Sequence, residues 1–269
     1  MPLPLAELFP NEDYRFHLTL RKGKLGDFFG APDRAVLAER AQWLDNDPMR
    51  YAAVNGGAGP LLAELETLAA GWSPVSESRS ANVKMEQRVI ALGRRLEPDF
   101  MLLAKDETGV FRLRAGVVCF PSSWALTEKM GLTLDAIHGV VPGLNSSLGP
   151  TIEQFLGRLK PGVPYERANW GLAATPELNL HPSLIRPRLS LPFDAEKIWV
   201  RIEDQILAAL PVTGGILFAI RLRLVPLTRL LTDSSLKAGL HRALVSMPDA
   251  LSEYKGLGAI RRDLIATTA

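Results

Sequence analysis

The sequence predicts an α+β fold in which an antiparallel sheet is flanked by helices from both ends of the chain. Three observations predict it: helical spacing of apolar residues through the first third, a switch to strand-like alternation from Asp99, and a return to helical spacing from about Leu227. No repeat or low-complexity segment interrupts this order.

Taken from the N-terminus, "RAVLAERAQWL" (34–44) places Val36, Leu37, Ala41, Trp43 and Leu44 at roughly helical spacing, and "GPLLAELETLAAGW" (59–72) repeats the pattern after a Gly/Pro start. "MEQRVIALGRRL" (85–96) is a third helix. From Asp99, "DFMLLAKDETGVFRLRAGVVCF" holds two β-prone runs joined by a polar turn with Asp106 and Gly109, the signature of an antiparallel hairpin. Short helices follow in "SSWALTEKMG", "LTLDAIHG" and "TIEQFLGRLK" (151–160), with Ser122 or Ser123 and Thr133 as N-caps. "YERANWGLAA" (165–174), "KIWVRIEDQIL" (197–207) and "GGILFAIRLRLV" (214–225) are the remaining strands, the last two separated by the turn signal "LPVTGG". The expected organisation is a mainly helical N-terminal extension over 1–97, a core over 98–226 on which it packs, and C-terminal helices over 227–269, all in one compact unit.

Apolar residues make up 47% of the chain and charged residues 22%, which excludes disorder. The formal net charge of +2, with signs mixed along the chain, gives no footing for a nucleic-acid partner. Arginine does cluster locally, at 112–116, 186–188 and 221–223, and such clusters suit one anionic ligand. The single cysteine, Cys119, lies in the apolar run "GVVCF". It permits no intrachain disulfide, requires no oxidising compartment and reads as a small buried hydrophobe. The opening "MPLPLAELFPNEDYRF" lacks the basic start and long apolar run of a cleaved signal. The most apolar window, "GGILFAIRLRLVPL", is broken by two arginines and is too short to span a bilayer. A cytoplasmic protein without a membrane partner is expected.

Strand alternation sorts the polar residues. In "KIWVRIEDQ", Ile198, Val200 and Ile202 point one way and Trp199, Arg201, Glu203 and Gln205 the other. The same rule groups Arg167 with Asn169, opposite Trp170, and Arg221 with Arg223, opposite Ile220 and Leu222. If the charged face meets solvent, this is an ordinary half-buried sheet; if helices cover it, the arginines and Glu203 line a polar pocket. His138 is one of four histidines, in an apolar segment that exits through "GVVPG". His17, His181 and His241 show no ligand spacing with it, so a multi-residue zinc or iron site is poorly supported. A hydrogen-bonded structural imidazole fits this position, and so does a single axial ligand in an apolar slot. There is no Walker loop, no G-x-G-x-x-G after a strand ("GLGAIRR" has Arg in the last glycine's place) and no G-x-S-x-G elbow, so nucleotide chemistry and hydrolysis have little footing.

The stretches "VVCFPSSWALTEKMGLTLDAIHGVVPGLN", "RANWGL", "VRIEDQILAALPVTGGILFAIRLRLVPL" and "YKG" together resemble the heme-dependent oxidative N-demethylase family, over about Gly116 to Gly256, with weaker likeness at "WLDND". The resemblance implies a PAS-like five-stranded antiparallel sheet and a noncovalent heme b. It also implies a metal-binding monooxygenase, an oxidoreductase that removes a methyl group from dimethylamine or a similar small secondary amine, giving formaldehyde. On that likeness His138, in the family's "IHxxVPG" stretch, is the axial ligand of heme iron. Arg167, Arg221, Arg223 and Gln205 are then cofactor-binding candidates, the guanidinium forks being suited to heme propionates. Glu203, Arg201 and Asn169 become the catalytic candidates, Glu203 balancing a cationic amine and Asn169 positioning it. Glu128 and Lys129 read as a solvated helix face. One departure is "IEDQ", with Asp204 where relatives carry Arg, which points to altered substrate contacts.

The implied partners are the amine, molecular oxygen and a separate electron-transfer reductase subunit, because one cysteine cannot hold an iron–sulfur cluster and no flavin or nicotinamide fingerprint is present. The alternatives are a non-catalytic heme- or ligand-binding PAS-like sensor using the same pocket, and a structural subunit with a closed pocket.

Overall fold

The computed structural model describes residues 3–72 and 83–269. Its α+β architecture is built on seven antiparallel strands: β1 (Arg21–Lys22), β2 (Ala52–Val54), β3 (Asp99–Lys105), β4 (Phe111–Val117), β5 (Tyr165–Ala173), β6 (Trp199–Ala209) and β7 (Ile216–Pro226). They form one sheet in the order β1-β5-β6-β7-β3-β4-β2. The expected five strands are its centre, but the sheet is seven-stranded. β1 and β2 extend the edges by pairing with β5 and β4. Runs of two or three residues carry no period of their own, so only the waiting edge makes them strands.

Local chemistry sets the turns. Asp106 Oδ1 accepts hydrogen bonds from the Thr108 and Val110 amides, and Gly109 takes φ 83°, closing the β3–β4 hairpin. The β6–β7 turn is held from outside the sheet: the carboxylate of Glu64, on helix Gly59–Ala70, accepts from the amides of Val212 and Thr213 and from the Thr213 hydroxyl. Helices Arg34–Asn46 and Met85–Arg95 form where helical spacing predicted them. Two of the short elements differ. Ser122 and Ser123 cap no helix, and only a 3₁₀ turn forms at Leu126–Lys129. The helix expected from 151 instead begins at Leu144, because Gly143 in the left-handed region (φ 77°) redirects the chain before it.

Register gives the sheet two dissimilar faces. The back carries Ala168, Trp170, Val200 and Ile202, which are buried with the C-terminal helices through Leu240, Leu244 and Leu264. It also carries Phe100, Leu102, Ile206 and Leu217, buried with the N-terminal helices through Leu44, Leu62 and Leu65. The front carries Met101, Leu103, Phe218 and Ile220. These pack against Leu126 and Ile137 at one end and Leu156 on helix Leu144–Arg158 at the other.

The deepest polar contact ties helices to strands. Arg40 and Asp99, 0% and 3% exposed, form an ion pair. Arg40 also donates to the carbonyls of Gly93 (2.6 Å) and Val117 (3.3 Å), while Asp99 accepts from the amides of Cys119 (2.8 Å) and Phe120 (3.0 Å). Removing one member leaves the other charged, buried and unpaired. Asp99→Asn and Arg40→Met are each expected to lower unfolding stability by about 3–5 kcal/mol, read as a reduced urea midpoint.

Candidate functional site

The Asp99 clamp aims the chain after β4 at the front of β6. Phe120, Pro121 and Ser122 run past Arg201, whose guanidinium is buried among their backbone groups. It donates to the carbonyls of Phe120 (2.7 Å) and Leu178 (2.7 Å), and its Nε donates to the Ser122 hydroxyl (2.8 Å). Ser122 in turn donates to Glu203 Oε1 (2.8 Å), and Gln205 Nε2 donates to Glu203 Oε2 (3.1 Å). Ser123 beside this network takes φ 63°, the left-handed region that a serine rarely adopts, so the bend is held by its surroundings. Arg201 therefore positions Glu203 through Ser122 rather than standing free for substrate.

The short helix Leu134–His138 is capped as expected by the Thr133 hydroxyl, which accepts from the Ala136 amide. Asn145 Nδ2 donates to the Asp135 carbonyl at 2.8 Å, tying this helix to the next. The His138 ring is half-buried and, among the described residues, has no hydrogen-bond partner. Burial pushes its pKa down and the Arg167 guanidinium pushes the same way, against the pull of Asp135, so the neutral, metal-binding form of the imidazole is favoured.

Arg167 likewise has no hydrogen-bond partner among the described residues. Its Nε is buried with no hydrogen bond, and no other donor of the guanidinium is bonded among the described residues. Burial lowers its pKa, while Glu203 and Tyr14 oppose the shift. Its charge is also felt by His17, on the N-terminal segment, whose pKa is held down first by burial and then by Arg167. Register places Arg167, Asn169 and Glu203 on the front face together with the apolar residues of β7. Asn169 is exposed, Glu203 is half-buried, and Phe218, Ile220, Leu222 and Leu224 form a half-buried apolar floor.

Two predicted cofactor residues lie elsewhere. Registration of Ile202 with Arg223 and of Asp204 with Arg221 puts both arginines on the back. Arg223 grips Asp204 with two donors and reaches the Leu3 carbonyl. Arg221 pairs with Glu97 at 2.8 Å and lies over the Phe28 ring. Alternation fixes sides only within a strand, and the sequence offered no register between β6 and β7. The departure at Asp204 thus has a local reason, since it neutralises Arg223. A cavity of about 120 Å³ beside these arginines is bordered also by Arg167 and Gln205, and one of about 450 Å³ lies among the C-terminal helices; His138 lines neither.

Sequence reasoning missed Ser122 and Lys255. Lys255 reaches the strand edge and senses Glu203. The first looked like a cap, and the second carries no local sign of burial.

This donor set fits heme on chemical grounds. A partnerless neutral imidazole would bind heme iron, half-buried apolar residues beside it would meet the porphyrin, and a guanidinium lacking any acceptor would pair a propionate. No group of three or more His, Cys, Asp or Glu able to hold a bare metal ion occurs among the described residues, nor any helix long and apolar enough to cross a membrane.

A family model described as haem-dependent oxidative N-demethylase, alpha subunit-like, matches residues 64–265, from within helix Gly59–Ala70 into the last helix. Because Arg201 is held by fixed carbonyls, Arg201→Lys is expected to cost about 2–3 kcal/mol of stability, and Ser122→Ala about 1–3 kcal/mol, both measurable by denaturant unfolding.

Proposed function

Since the chain belongs to the haem-dependent oxidative N-demethylase alpha-subunit-like family, we propose that the front face of its sheet holds heme b on His138 and serves oxidative N-demethylation of a small secondary amine resembling dimethylamine. One observation carries the reading: an imidazole and a guanidinium, both lacking hydrogen-bond partners, flank a half-buried apolar strand floor on a single face. A PAS-like core is supported by the order β5-β6-β7-β3-β4, in which the first hairpin meets the last strand at the centre of the sheet.

Each residue then has a role. His138, held by the Thr133 cap and the Asn145 tie, would bind the heme iron through its ring. Arg167 binds a propionate. Glu203, fixed by Ser122 and Gln205, presents a carboxylate to the substrate's ammonium, and the exposed Asn169, its register partner on β5, borders the same place. Bound heme supplies the oxidising chemistry, converting the N-methyl carbon, with molecular oxygen and electrons, to a carbinolamine that releases formaldehyde. Those electrons come from a separate reductase subunit, in a cytoplasmic setting. Arg201, Arg221 and Arg223 serve the scaffold.

Added hemin is expected to give a Soret band that His138→Ala abolishes and that Arg167→Met weakens by about 10–100-fold in hemin affinity. With a reductase, dimethylamine is expected to yield formaldehyde. A colourless protein overturns the reading. A heme protein that turns over no secondary amine is instead a non-catalytic sensor.

A further inference from the structure

The residues before β1 read as a strand of which the fold uses only the end. In "YRFHLTLRK" (14–22) Tyr14, Phe16, Leu18 and Leu20 alternate with Arg15, His17, Thr19 and Arg21, yet only Arg21 and Lys22 pair with β5. Tyr14, Phe16, Leu18 and Leu20 are half-buried, while Arg15, His17 and Thr19 are exposed. The segment is pinned at both ends. At one, the Tyr14 amide donates to the Ser246 hydroxyl at 2.7 Å and Asp13 pairs with Arg242 at 2.6 Å; at the other, the Gly23 amide donates to the Pro164 carbonyl at 2.9 Å. Between the pins, the backbone of residues 15–20 makes no hydrogen bond among the described residues.

β5 offers a matching edge. Glu166 pairs outward with β1, so by alternation the amides and carbonyls of Ala168, Trp170 and Leu172 point to the same side. Of these, only the Trp170 carbonyl is engaged among the described residues, by the Lys255 amine at 2.8 Å. Continuing the register of Arg21 with Glu166 sets Thr19 opposite Ala168, and puts Leu20 beside Arg167 and Leu18 beside Asn169 on the front face. The far end of the segment reaches the turn that follows the His138 helix, where Phe16 Cε2 lies 3.7 Å from the place a Gly143 β-carbon would take. Tyr14 and Phe16 pack on the C-terminal core, but Leu18 and Leu20 join none of the apolar clusters among the described residues. A strand-like segment thus runs from the His138 turn to Arg167, carrying two leucines that no core claims.

We infer that residues 15–20 are a strap that pairs onto the β5 edge when heme lies on the front face, bringing Leu18 and Leu20 against the porphyrin beside Arg167. The inference rests on the heme reading above. Pairing and binding favour each other, because the ladder sets both leucines on the front, where an apolar occupant is what buries them. The ladder gains Thr19 with Ala168, and Lys255, already seated on the Trp170 carbonyl, marks where it ends. Leu18 and Leu20 are then cofactor-binding residues in addition to His138 and Arg167.

The test is amide hydrogen exchange on the full chain with and without hemin, together with the rate at which bound hemin passes to excess apomyoglobin. Hemin is expected to slow exchange at Thr19 and Ala168 by at least about tenfold. Thr19→Pro, which lacks the amide the ladder needs, is expected to release hemin at least about tenfold faster than Thr19→Ala, which keeps it. Leu18→Ser combined with Leu20→Ser is expected to release it about tenfold faster than the unaltered chain, with the same urea midpoint. If hemin leaves exchange at Thr19 and Ala168 unchanged, or Thr19→Pro releases it no faster than Thr19→Ala, the segment is a fixed edge wrapping and the inference falls. A Soret band lost in His138→Ala keeps the heme reading standing in that case. If the unaltered chain gives no such band, both fall. Should a variant fail to fold, the exchange of the unaltered chain still decides.

Discussion

The buried pair of Arg40 and Asp99 is the constraint from which the site's geometry descends. A buried ion pair is weak evidence of stability, because desolvation offsets much of the attraction. Its value here is directional. Asp99 takes the amides of Cys119 and Phe120, and Arg40 takes the Gly93 and Val117 carbonyls, so the exit of β4 is fixed against two helices at once. The next residues have little choice of path. They present carbonyls to Arg201 and a hydroxyl to Glu203, and a contact made among N-terminal helices thereby decides where a carboxylate stands on the far side of the sheet.

The two faces divide their labour by how they treat charge. On the back, arginines are neutralised one by one, Arg221 by Glu97 and Arg223 by Asp204. On the front, Arg167 feels Glu203 without contact, and His138 has no polar neighbour bonded to it. Paired charges hold a structure. Charges kept at a distance are available to something else.

Much of this was legible in the sequence. The hairpin, the three later strands and most helices follow from period and turn residues, and parity correctly grouped Arg201, Glu203 and Gln205. What parity could not supply was register, which puts Arg221 and Arg223 on the face opposite Glu203. Ser122 was unreadable for another reason: its partners lie 79 and 81 residues away, and a serine before an apolar run looks locally like a cap. Lys255 illustrates the same limit, since nothing in "YKG" alone reveals a strand edge 85 residues earlier. The likeness to known demethylases pointed to His138, which alternation and spacing left open.

Glu64 shows where the sheet's alignment is decided. By gripping the tip of the β6–β7 turn it fixes the phase of the two longest strands from a helix outside them. Slide β7 by a single residue and Arg221 trades places with Leu222, putting a guanidinium on the greasy floor and a leucine against Glu97. The helix before the core is thus a jig for it, and grafting strands without that jig would scramble which side is wet.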